Sequence, residues 1–100
     1  MKKVIGGKMY DTATAKCIGN YWYSSPDKFD YVDETLYKKR TGEFFIHGAG
    51  GPLSDWADVQ SDGAYDGCGI KPLTLDEAEE WGEKHLSGDE YVAAFGRVEE

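Results

Sequence analysis

Two cysteines, Cys17 and Cys68, are all that this 100-residue chain has. A small secreted scaffold stapled by disulfides needs more, so the expected setting is a reducing cytoplasm. Long apolar runs are missing too. Nothing approaches the roughly 20 residues of a membrane-spanning helix, and no apolar stretch of the signal-peptide kind follows the Met-Lys-Lys start. Basic residues are scarce: 11 Lys and Arg stand against 19 Asp and Glu, for a formal charge of −8. That balance disfavours direct contact with nucleic acid or an anionic membrane and favours a basic partner. What the chain does have is 40% hydrophobic residues and 3 Trp, 7 Tyr and 4 Phe, which excludes a disordered acidic tail. The length suits one domain, residues 1–100, with one modest core.

Several catalytic and metal signatures are also absent. His47-Gly48-Ala49-Gly50-Gly51 after an apolar strand has the look of a hydrolase oxyanion loop, but no G-x-S-x-G elbow accompanies it. The same glycines resemble a phosphate cradle, yet no Lys-Ser or Lys-Thr follows them. Cys17, Cys68, His47 and His85 are zinc-ligand types, but the Cys-x-x-Cys knuckle is missing. Asp55, Asp58, Asp62 and Asp66 lack the regular spacing and terminal Glu of a calcium loop. No Ser or Cys stands beside a His as an activated nucleophile would. The expectation is a protein that is not an enzyme and carries no cofactor, with a zinc-binding protein using those four residues as the alternative.

The strand and helix signals are uneven. Lys3 to Tyr10 predicts two short strands around a Gly6-Gly7 turn. Asp11-Thr12 offers N-cap oxygens for a short helix over Ala13–Ile18, stopped by Gly19-Asn20. Tyr21-Trp22-Tyr23 is rich in strand formers and ends in a turn at Ser24-Ser25-Pro26-Asp27. Tyr31–Lys39 and Glu43–His47 flank Arg40-Thr41-Gly42, a hairpin whose first strand has no cleanly apolar face, so that one side of the sheet is expected to be partly wet. Phe44-Phe45-Ile46 supplies core bulk. Gly48 to Gly69, rich in Gly, Asp and Ser, reads as a long loop held down by Trp56, Ala57, Val59 and Tyr65. Gly69–Leu73 follows as a last strand, kept at an edge by Pro72.

The strongest helix lies over 75–86. Thr74 and Glu77 form a capping box, and Leu75, Ala78, Trp81, His85 and Leu86 recur at helical spacing. Gly88 is read as its stop, and Asp89 as the cap of a second helix running to Phe95 and ending at Gly96. The fold class is therefore α+β: a small antiparallel sheet around the 31–47 hairpin, packed against a C-terminal helix pair.

Charge is the remaining feature. Residues 1–50 hold eight bases and six acids, a balance of +2, whereas residues 51–100 hold three bases and thirteen acids, a balance of −10. Helical spacing turns Asp76, Glu79, Glu80 and Glu83 outward, with Asp89, Glu90 and Tyr91 following. Carboxylates about 5–6 Å apart on a helix approach the charge density of a phosphate row. Such a face can occupy a basic nucleic-acid channel, with Tyr91, or Tyr21, Trp22 and Tyr23, as anchors. A solvated face that merely keeps an interaction or structural protein soluble would have the same composition.

The chain as a whole resembles small acidic proteins encoded on phages and other mobile elements of gut-type bacteria. The resemblance runs through Tyr10-Asp11-Thr12, Glu34-Thr35-Leu36-Tyr37, Thr41-Gly42-Glu43-Phe44-Phe45 and Gly50-Gly51-Pro52. It continues in Pro72-Leu73-Thr74, Glu77-Ala78, Trp81, Asp89-Glu90-Tyr91 and Phe95-Gly96. Such proteins include anti-CRISPR inhibitors, so the resemblance implies a cytoplasmic, non-enzymatic inhibitor that binds a CRISPR effector in the bacterial host cell. It carries no catalytic residue with it.

Overall fold

The structure, a computed structural model, describes every residue except Pro26, Arg97 and Glu100. The expected turn at 24–27 therefore falls partly on Pro26, outside the described residues. Ten elements follow one another: β1 (Lys2–Ile5), β2 (Lys8–Asp11), β3 (Lys16–Tyr23), β4 (Val32–Lys38), β5 (Phe44–Gly50), β6 (Asp58–Gln60), β7 (Gly63–Tyr65), β8 (Gly67–Leu73), α1 (Leu75–His85) and α2 (Gly88–Phe95). The central sheet is antiparallel with strand order β3-β4-β5-β8, and the expected α+β class holds.

β1 and β2 pair around Gly6 and Gly7, whose φ values of 58° and 78° are what a two-residue primed turn demands. The helix expected over Ala13–Ile18 does not form. Asp11 Oδ1 accepts the Ala13 N–H at 2.9 Å and the Asp11 carbonyl accepts the Ala15 N–H at 3.1 Å, closing a single turn. From Lys16 the chain instead pairs along β4 as far as Tyr23. A six-residue helix would barely repay its nucleation, while the ladder adds partners along the whole strand. Gly19, expected as a helix stop, sits at an irregularity in that ladder with Leu86 packed on its bare Cα.

The 31–47 hairpin is as expected, with Gly42 at φ 93° in its loop. The long loop from Gly48 is not. Gly48–Gly50 continue β5, pairing with Glu34, Asp33 and Val32 on one side and with Gly69, Cys68 and Gly67 on the other. Between β5 and β8, β6 and β7 form an exposed hairpin. Trp56 packs on the core as expected, but Val59 and Tyr65 are exposed and tack nothing down. β8 lies at the sheet edge, with Pro72 opposite Phe45.

Alternation along the strands sends Leu36, Phe44 and Ile46 to one face, where Ala78 and Trp81 of α1 cover them. Phe45 and Ile70 take the other face under Tyr10 of β2. This second face is only partly covered: further along it Asn20 and Asp33 are exposed. α1 starts at the expected Thr74–Glu77 capping box and buries Ala78, Trp81 and Gly82, while Leu75 is 58% exposed and packs little. The second helix is capped by Ser87, not Asp89. Ser87 Oγ accepts the Glu90 N–H and Glu90 Oε1 accepts the Ser87 N–H, so Gly88 opens α2 rather than stopping α1. Among the described residues, no helix is long and apolar enough to cross a membrane.

Candidate functional site

Asp76, Glu80 and Glu83 of α1 and Asp89 and Glu90 of α2 are exposed, and Glu79 is half-buried. α1 and α2 meet tightly because Gly82 has no side chain: a Cβ there would come within 2.9 Å of Phe95 and 3.1 Å of Tyr91. That close approach brings Tyr91 beside Glu79 and Glu83. Partial burial, then the charges of those two carboxylates, raise the Tyr91 phenol above its ordinary pKa. Tyr91 also packs on Phe95, their ring centroids 4.8 Å apart.

The acidic residues do not form one uniform surface. Glu80 pairs with Lys84 at 3.3 Å, with both side chains well exposed, and Glu90 is engaged in its helix cap. Asp76 and Asp89 stand in the first turns of their helices, where negative charge complements the helix dipole. Among the described residues no salt bridge reaches Asp76, Glu79, Glu83, Asp89 or Glu90. The structure therefore brings Glu79, Glu83 and Tyr91 together and sets Asp89 and Glu90 at the start of the neighbouring helix.

The four residues named for the zinc alternative do not come together among the described residues. Cys17 lies on β3 and Cys68 on β8, the two outer strands of the sheet, which are three strand spacings of roughly 4.8 Å apart, and the register sets Cys17 in line with Pro72, further along β8 from Cys68. His47 faces the β2 side of the sheet beside Ile70, and His85 faces the helix side, stacked on Tyr21. Among the described residues no three His, Cys, Asp or Glu side chains converge as ion ligands. The glycines after His47 also have a packing role. The Trp56 indole occupies the space where a Gly48 side chain would be, Ser54 does the same at Gly50, and the Phe29 carbonyl at Gly51.

A second constellation escaped the sequence reading. A cleft of about 390 Å³ opens between the sheet and α1, lined by Glu34, Trp56, Trp81, His85, Lys71 and Glu80 among others. At its base Glu34 Oε2 accepts the Trp56 indole N–H at 2.7 Å, and Oε1 accepts that of Trp81 at 2.9 Å. His85 stacks on Tyr21 at 3.8 Å and meets Trp81 edge-on at 4.9 Å; burial lowers its pKa. The one available signal was Glu34 itself, an acid at a position sharing its strand face with Leu36.

Family models, curated proteins and solved structures yield no match to this chain.

Proposed function

We propose that the protein is a non-enzymatic inhibitor of the anti-CRISPR kind, which binds a basic, nucleic-acid-handling protein through the acidic surface of α1 and α2. The observation that carries this reading is the row of exposed Asp76 and Glu83 with half-buried Glu79 between them and Tyr91 beside it, none of the three acids held in a salt bridge among the described residues. Unpaired carboxylates on a rigid helix steer a basic partner and mimic the spacing of its proper ligand, while Tyr91 supplies an anchor that is already ordered. A CRISPR effector in the bacterial cytoplasm is the target with that chemistry which the sequence resemblance suggests.

Affinity purification of the tagged protein from a CRISPR-bearing host lysate tests this, at low and high salt, with bound proteins identified by mass spectrometry. The expected result is a nucleic-acid-binding protein recovered at low salt and lost at high salt. Reversing Glu79, Glu80 and Glu83 to Lys should abolish its capture while leaving the fold intact. Unchanged capture by the reversed variant would sink the acidic-face mechanism.

A further inference from the structure

We propose that the cleft between the sheet and α1 is a binding site for a guanidinium group, held end-on by the Glu34 carboxylate and flanked by the aromatic rings of Trp56 and His85. This does not rest on the acidic-face reading: of the residues reversed to test that reading only Glu80 lines the cleft, and Glu80 is paired with Lys84.

The argument begins with Glu34. Each carboxylate oxygen accepts one indole N–H, which fixes the group's plane and orientation. A carboxylate offers about four acceptor positions, so roughly one remains at each oxygen. Two parallel acceptors match the two-pronged face of a guanidinium, whereas an ammonium is a point donor. Trp56, Trp81 and His85 contribute aromatic surface to the walls, and guanidinium planes stack on aromatic rings.

Charge selects the same ligand. Four carboxylates (Glu34, Asp55, Glu77 and Glu80) line the cleft against two ammonium groups, Lys71 and Lys84, leaving it net negative with His85 neutral. Lys84 is already paired to Glu80. The volume of about 390 Å³ is at the small end of ligand sites and ample for one arginine side chain.

The framework is built rather than incidental. Trp56 can reach Glu34 because its ring lies in the space left by Gly48, and Trp81 is buried against the sheet. The aromatic and carboxylate groups are thus in place before any ligand arrives, which lowers the ordering cost of binding.

The test is an NMR titration of the intact protein with N-acetyl-arginine amide, following the three indole N–H resonances. Those of Trp56 and Trp81 should shift and saturate in the low millimolar range, while that of Trp22, exposed on β3, stays put. N-acetyl-citrulline amide, the uncharged isostere, should produce no saturable shift, and N-acetyl-lysine amide should bind at least fivefold more weakly. Because Glu34→Gln disturbs both indoles, the discriminating variant is Asp55→Asn with Glu80→Gln, which should weaken arginine amide severalfold while leaving both indole N–H groups bonded to Glu34. Equal binding of lysine or citrulline amide, or no saturable shift with arginine amide, overturns the assignment. The guanidinium could belong to free arginine or to a protein side chain. Tighter binding of free L-arginine than of a blocked peptide with one central Arg would identify the small molecule; the reverse order would identify a protein side chain.

Discussion

The indole of Trp81 donates to Glu34 Oε1 at 2.9 Å, joining the middle of α1 to β4 across 47 residues of sequence. Trp56 grips the other oxygen of the same carboxylate at 2.7 Å, so one acid ties the helix, the sheet and the segment after β5 together. Replacing Glu34 with Ala strands two indole N–H groups that are at least half-buried. Hydrogen bonds to a charged acceptor are each worth more than neutral ones, so the expected loss is roughly 2–4 kcal/mol. Urea unfolding of Glu34→Ala against the parent protein measures it, and a loss under about 1 kcal/mol would mean that water substitutes freely for the carboxylate.

Gly48→Ala should also destabilise, although alanine is intrinsically no worse than glycine in a strand. A methyl group there collides with the ring carbons of Trp56, and the indole must lift away from the sheet. Overpacking of this kind costs about 1–3 kcal/mol. Loss of the Trp56–Glu34 bond should accompany it, visible as a moved Trp56 indole N–H resonance. Gly63→Ala makes a contrasting control: nothing crowds a Cβ there, and its cost comes from the φ of 150° alone.

These two residues show where the sequence was legible and where it was not. Local signals read correctly at several turns and caps, with Gly6-Gly7, Arg40-Thr41-Gly42 and Thr74–Glu77 all forming as their chemistry dictates, although the Ser87–Glu90 capping box was passed over for Asp89. Ala13–Ile18 was misread because cap residues cannot reveal that β4 offers Cys17 to Tyr23 a ladder. Gly48–Gly50 were misread as loop because their reason, the Trp56 indole and Ser54, is tertiary. The acidic residues of α1 were visible from spacing alone, whereas the cleft joins residues 34, 56 and 81, which no local pattern connects.

The second helix provides a direct contrast between two possible caps. Ser87→Ala removes the acceptor for the Glu90 N–H and should cost about 1 kcal/mol. Asp89→Ala touches no cap hydrogen bond and should lose only the few tenths contributed by charge near the helix dipole. Thermal or urea unfolding of the pair decides the matter. Equal losses would return the cap to Asp89.

Acidification should weaken the fold in two separate stages. Burial lowers the pKa of both His47 and His85 from the ordinary 6.5, so the unfolded chain binds protons there before the folded one does. Stability that is complete above pH 6.5 therefore begins to fall as the pH drops below it. Glu43 is the main contributor to the lower stage, with Glu77, held down by its hydrogen bonds to Thr74, adding to it. Lys8 at 2.9 Å, Lys39 at 3.2 Å and the Thr41 hydroxyl at 3.1 Å hold the Glu43 carboxyl down to about 2. Its contribution is present above the ordinary carboxylate value of 4.5 and is lost as the pH falls from there toward 2. Lys8 belongs to β2 while Lys39 and Glu43 flank the β4–β5 turn, and Lys39 also lies over the Tyr10 ring at 4.4 Å. Protonating Glu43 should thus loosen the N-terminal hairpin first. Urea midpoints measured from pH 8 to pH 2 should show both declines. Glu43→Gln should reduce the lower one alone, and His47→Gln with His85→Gln the upper one, whatever each does to stability at neutral pH. A lower decline that persists unchanged in Glu43→Gln would assign it to other carboxylates and detach this ion-pair cluster from the acid response.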